Sequence, residues 1–172
     1  FIRYAKTHKF YQHQKNNSVC YDCRLFFIVQ GEGHLFANGQ NYTVTNNTLI
    51  YLPPKTHYNF NFTASQEVKI YVINFDLTDS FSHIRNSIGT ATEENFNVEK
   101  CLDYTLPQEF ISVIVKDNCL NISERVKTCI DLYMNKSAYY THFASANLKS
   151  ALINLLEQID SQSSDYKLVE MV

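Results

Sequence analysis

In the stretch LIYLPPKTHYNFNF, residues 49–62, His57, Asn59 and Asn61 alternate with Tyr58, Phe60 and Phe62. Residues two apart on a strand share a face, so an imidazole and two carboxamides are presented together. Such a row donates and accepts several hydrogen bonds at once, but it contains no carboxylate pair for acid–base work and a single imidazole does not make a metal site. The same parity groups Arg24 with Phe26, Ile28 and Gln30, and Asn74 with Ile70 and Val72. Periodicity leaves the direction of the 57–61 row open. Either the aromatics fill an interior and the polar row meets water, or the row lines a cavity and something else covers the aromatics.

The elements that must hold these residues follow two periods. CYDCRLFFIV is rich in aromatic and β-branched residues and ends at QGEG, a strand entering a turn. HLFA and QNYTV flank Asn38-Gly39, a pair that tolerates positive φ at both central positions of a type I′ hairpin. Asn46-Asn47 turns the chain before TLIYL, and Pro53 and Pro54, which have no N–H to give a ladder, end that strand. HYNFNFT and EVKIYVINFD follow, making six short strands whose connections are too short for parallel crossovers. The expected fold is mainly β, an antiparallel barrel or sandwich. Turn-forming residues dominate from Leu77 to Pro107, an irregular connection with room for one more strand, and ISVIVKD supplies the last strand of the barrel.

Beyond residue 118 the period lengthens. NISERVKTCIDLYM starts at Asn121 or Ser123 as N-cap and repeats Val126, Ile130 and Met134 every fourth residue. In the next segment Ala144, Leu148, Leu152, Leu155 and Ile159 make a second apolar stripe. Two amphipathic helices are expected, packed on the barrel, with Ala151 and Leu156 left on another face for a second copy of the chain. The division expected is a barrel with an N-terminal arm over 1–118, a helical dimerisation segment over 119–164, and from 165 to 172 the start of a linker or helix towards a DNA-binding domain. FIRYAKTHKFYQHQKN has the place and mixed polarity of a mobile lid.

Composition narrows the function classes. The 172 residues carry 15 Lys and Arg against 17 Asp and Glu, a formal net charge of -2, which lacks the basic excess of a domain that grips phosphates. YYTHF superficially suggests part of a helix-turn-helix, but Lys149 is the only Lys or Arg between Lys136 and Lys167. No run approaches the roughly 18 consecutive apolar residues of a membrane span. Five cysteines without framework spacing suit a reducing, cytoplasmic setting, and the isolated Cys20-x-x-Cys23 reads as packed thiols.

The string DCRLFFIVQGEGHLFANGQNYTVTNNTLIYLPPKTHYNF, followed by IYVINFDLT, resembles the amino-terminal domain of AraC-type transcription regulators, a cupin-like (jelly-roll) barrel followed by a helical pair. The resemblance rests on the order of Gly31-x-Gly33, Asn38-Gly39 and Pro53-Pro54 ahead of His57. It implies an effector-sensing, homodimeric regulator that reaches DNA through a separate domain and makes or breaks no bond. It also implies that the polar row faces inward, giving a ligand set of Arg24, Gln30, His57, Asn59, Asn61 and Asn74 over an apolar floor. Such a set suits a sugar or a small organic anion. Enzymatic cupins hold a metal on two histidines and a glutamate; here Ser18, Cys20 and Arg24 stand near those positions, and a guanidinium repels a cation, so neither metal nor cofactor is expected. The alternatives are a metal-independent isomerase using His57 with Glu67 or Tyr71, and a binding or assembly module without an effector.

Overall fold

The structure, a computed structural model, describes residues 1–11, 17–63, 66–84 and 88–169. Among the described residues ten strands form two five-stranded sheets in which every pairing is antiparallel. They are β1 Ile2–Phe10, β2 Ser18–Cys20, β3 Cys23–Gln30, β4 Gly33–Ala37, β5 Gln40–Val44, β6 Leu49–Leu52, β7 His57–Phe62, β8 Val68–Phe75, β9 Thr90–Thr92 and β10 Ile114–Lys116. The first sheet has the order β1-β8-β3-β6-β10 and the second β5-β4-β7-β2-β9. Two helices follow, α1 Leu120–Asn135 and α2 Tyr140–Val169.

The six strands expected between residues 20 and 76 are all present, with one break: the CYDCRLFFIV segment divides at Tyr21-Asp22 into β2 and β3, which enter different sheets. Asn38 and Gly39 take φ of 47° and 80°, the two positive values a type I′ hairpin requires, and join β4 to β5. Gly33 is needed for a different reason. A Cβ there would lie 2.3 Å from the Asn61 carbonyl oxygen and 2.7 Å from Phe62 Cα, so β4 can approach β7 only without a side chain.

The two sheets differ in how many faces they bury. In the first, consecutive residues of β3, β6 and β8 are buried, because one face packs on the second sheet and the other on the helices. Leu25, Phe27, Tyr51, Ile73 and Phe75 share a core with Ile122, Val126, Ile130, Leu148, Leu152 and Leu155. Strands β4 and β7 of the second sheet alternate buried with partly or fully exposed residues, since their outer face meets water.

Four details depart from the sequence reading. Over Ile2–Phe10 the expected arm is an edge strand, paired along its length with β8, and residues 12–16 of that segment lie outside the described residues. Helix α1 begins at Leu120 after Cys119, which makes no side-chain cap, so neither Asn121 nor Ser123 caps it. Met134 is exposed, because the buried stripe of α1 is Ile122, Val126, Cys129 and Ile130. Ala151, expected on a face free for a partner, is fully buried in the chain's own core, and Leu156 packs against that core. Helix α2 continues to Val169, into the segment expected to start a linker or helix; residues 170–172 lie outside the described residues.

Candidate functional site

Strand parity on β3, β7 and β8 sends one set of side chains into the space between the sheets. Arg24 and Phe26 come from β3, Ile70, Val72 and Asn74 from β8, and Tyr58, Phe60 and Phe62 from β7 across the gap. They line a cavity of about 310 Å³, within the range of sites for small organic ligands. Strand β1 closes one side with Tyr4, His8 and Phe10, and Gly89 and Thr90 complete the wall.

The cavity is graded from polar to apolar along the strands. Asn74 pairs with Tyr4 on one side and Arg24 on the other, so these three form a row across β1, β8 and β3. One row on, Val72 stands beside Phe26, and beyond it Ile70 beside Ile28. From the opposite sheet the rings of Phe60 and Phe62 stack with centroids 5.4 Å apart, and Phe26 meets Phe60 edge-on at 5.1 Å. Phe10 extends this aromatic wall at 5.6 Å from Phe62. Aromatic faces and branched alkyl groups thus fill the space beyond a single polar end.

At that end Arg24 is buried and only partly satisfied. Its Nε donates to Asp22 Oδ1 at 3.1 Å and its Nη1 to the Tyr58 hydroxyl at 3.4 Å. Its Nη2 is buried with no partner, as are Asp22 Oδ2 and Asn74 Oδ1. Buried polar atoms without a hydrogen bond are rare in folded proteins; Arg3 Nε and Asp76 Oδ2, away from the cavity, are two others, but only Arg24 and Asn74 among these residues line the cavity. Burial opposes the Arg24 charge, but Tyr58 and Asp22 outweigh it and hold the pKa above its ordinary value. Burial pushes the Asp22 carboxyl up to about 6, against the pull of Arg24 and with the push of Asp76. Tyr58 is likewise raised by burial, to about 12, and stays a neutral hydroxyl.

Of the six residues expected to bind ligand, Arg24 and Asn74 line this cavity and four lie elsewhere. His57 and Asn61 are exposed and Asn59 is half-buried on the outer face of β7, because the aromatics fill the interior. His57 Nδ1 lies 3.4 Å from Glu93 Oε1, Asn59 donates to Asn17 Oδ1 at 2.7 Å, and Asn61 stands opposite His34. The inward orientation of that row is overturned: the helices cover the first sheet, so nothing shields the far face of β7. Gln30 is exposed because the register of β3 against β8 shifts between Ile28 and Gln30, breaking the parity that would have aligned it with Arg24. The proposed acid–base pair is not assembled either. Tyr71 faces the helices, Glu67 lies 3.8 Å from Lys9, and His57 is on the outside of the other sheet.

Sequence reasoning missed Tyr58, Asp22 and the three residues from β1. A usable signal existed for Tyr58. Strands with unbroken apolar runs belong to a sheet covered on both sides, whereas HYNFNF alternates and therefore belongs to a sheet with one wet face. The CxxC cysteines are packed thiols in different cores. Cys20 Sγ lies 3.4 Å from the Thr56 carbonyl and Cys23 Sγ 3.4 Å from the Tyr51 hydroxyl, and burial raises them to about 12 and about 11. Among the described residues no group of three or more His, Cys, Asp or Glu is placed to hold a metal ion.

No curated protein matches the chain in sequence. Among solved structures, apo ToxT from Vibrio cholerae is similar at a TM-score of 0.56 and 14% identity, covering 92% of this chain and 55% of that one. ToxT with an unsaturated fatty acid bound matches at 0.54 and 12%, with the same coverage. The chain therefore spans about half the length of ToxT. A cupin superfamily protein from Desulfitobacterium hafniense has a TM-score of 0.38 and 14% identity over 42% of this chain and 65% of its own. The family described as AraC-like ligand binding domain matches residues 3–114, a span that includes the second sheet, all of the first but Ile2 and most of β10, and every residue lining the cavity, and the chain belongs to that family.

Proposed function

We propose that the chain is the effector-sensing part of a cytoplasmic transcription regulator, and that its effector is a small organic anion with an apolar body. The observation that carries this reading is the buried, unpartnered Nη2 of Arg24 at the polar end of a cavity otherwise walled by aromatic and aliphatic side chains. A carboxylate accepts charge-assisted hydrogen bonds from a guanidinium, and Arg24 has donors left to give. Half a turn of the Asn74 amide offers an N–H beside it. Apolar atoms of the ligand then lie along Phe26, Phe60 and Phe62. Of the two ligand classes expected from the sequence, a sugar would leave these rings without matching polar atoms, so the lining favours the anion. That ToxT, similar in fold, has been solved with an unsaturated fatty acid bound is consistent with this choice.

Arg24 and Asn74 remain the proposed ligand residues, joined by Tyr58. No catalytic group is assigned, and sensing proceeds by the ligand's different affinity for two conformations. Two copies are proposed to associate through the helices, where α2 leaves Phe143 and Ile153 exposed, and to reach DNA through a part of the protein outside this chain. Among the described residues no helix is long and apolar enough to cross a membrane.

The direct experiment is a melting-temperature screen with octanoate, octanol and a monosaccharide. Octanoate is expected to raise Tm by several degrees through mass action on the folded state, and the shift should vanish in Arg24→Met. An equal shift with octanol, or one with the sugar alone, would remove the anion from the reading.

A further inference from the structure

The partner that Arg24 already has bears on how it could accept a second anion. Asp22 Oδ1 takes the Nε hydrogen at 3.1 Å, and the two side chains are 0% and 8% exposed, so their charges interact with little screening by water. An anion on Nη2 would place two negative charges around one guanidinium in a site of low dielectric, which like-charge repulsion disfavours. Asp22 Oδ2 is buried and accepts no hydrogen bond, so one oxygen of that carboxylate is open to protonation while the other keeps its bond to Arg24.

We propose that the cavity takes its anionic ligand together with one proton, which passes from solvent to Asp22 Oδ2, so that the ligand replaces the Asp22 charge beside Arg24. One O–H bond forms at Asp22 Oδ2 and one breaks in the solvent donor, and the site keeps the same net charge before and after binding. This rests on the anion reading above and specifies its regulation: the ligand binds more tightly as pH falls.

The groups around Asp22 leave it as the proton's destination. Cys20 from β2, Cys23 from β3 and Cys101 from the long connection are all shifted upward by burial and are neutral thiols near pH 7. Tyr58 from β7 is neutral for the same reason. Asp76, at the end of β8, is engaged by Arg3 at 2.5 Å. Burial has already brought Asp22 to about 6, so a further negative charge nearby carries it into the neutral range. The rival acceptor is His8, which lines the cavity from β1 and contacts the Tyr4 hydroxyl through Nε2 at 2.8 Å.

Octanesulfonate tests this cleanly because its own charge does not titrate. Calorimetry at pH 7 in buffers of different ionisation enthalpy should show uptake approaching one proton per ligand, and Kd should rise several-fold per pH unit between 6 and 8. In Asp22→Asn both effects should disappear, with Kd at pH 8 at or below the wild-type value. The wild-type measurement stands even should that variant fold poorly. Binding without uptake, or uptake that survives in Asp22→Asn and is lost in His8→Gln, would overturn the proton step and leave the anion reading intact. Failure of octanesulfonate and octanoate to bind at any pH from 5 to 8 would overturn both.

Discussion

At the scale of single residues, the informative feature is a buried charge pair left incompletely satisfied. Asp22 is raised to about 6 by burial, above the ordinary 3.8 that it regains on unfolding. The folded state therefore binds this proton more tightly than the unfolded one. Its contribution to stability is full below about pH 4 and is lost as pH rises through 6. The shift corresponds to about 3 kcal/mol. Urea melts of wild type and Asp22→Asn should accordingly diverge in the variant's favour by about 2 kcal/mol between pH 4 and pH 7, whatever the offset at pH 4; parallel curves would contradict the assignment. Removing the other partner has the opposite cause and a larger effect. Arg24→Met leaves a buried carboxylate without its cation at neutral pH, a loss of about 3 to 5 kcal/mol that should shrink in acid as Asp22 protonates.

At the scale of elements, β7 separates the two kinds of surface most sharply. Its outer residues His57 and Asn61 are solvent-exposed, so alanine at either is expected to change stability by no more than about 0.5 kcal/mol and to leave the octanoate response intact. Phe60, 5% exposed and in contact with Phe26 and Phe62, should lose about 3 kcal/mol on truncation to alanine. Gly33→Ala tests the β4–β7 contact, since the new methyl meets the Asn61 and Phe62 backbone and no rotamer can move it aside. A loss of about 3 kcal/mol is expected in a denaturant melt. The polar row was legible in the sequence, and so was the fact that it occupies one face. Its direction was not, because an alternating strand has the same pattern whether the wet side is a cavity or the solvent.

At the scale of the molecule, β1 connects the cavity to the helices. Tyr4, His8 and Phe10 face the ligand space, while Ile2 and Ala5 on the other side enter the core shared with α1 and α2. Tyr133 of α1 donates its hydroxyl to the Arg3 carbonyl at 2.7 Å, at the point where the β1–β8 register shifts. A ligand that moves β1 thus has a path to the helices, and coupling of this kind needs an element with two arrangements that both sites bias. Tyr133→Phe removes the tie without disturbing the cavity. It is expected to leave octanoate affinity within about twofold while reducing the ligand-dependent change in α1 protection measured by hydrogen exchange. Unchanged helix protection in the variant would assign the coupling to other contacts.

The amino-acid sequence by itself determined the six strands between residues 20 and 76, their hairpin turns and the amphipathic helices, because these depend on local quantities: two periods, a proline pair, and residues that accept positive φ. It also determined that Arg24 and Asn74 share their faces with apolar neighbours. Only the tertiary structure decided which sheet the helices cover, and with it that the aromatics of β7 face the cavity while His57, Asn59 and Asn61 meet water. It alone recruited β1 as a cavity wall and set Asp22 against Arg24. These outcomes follow from the burial of apolar surface summed over the whole fold, to which each strand's own pattern contributes but which no single strand specifies.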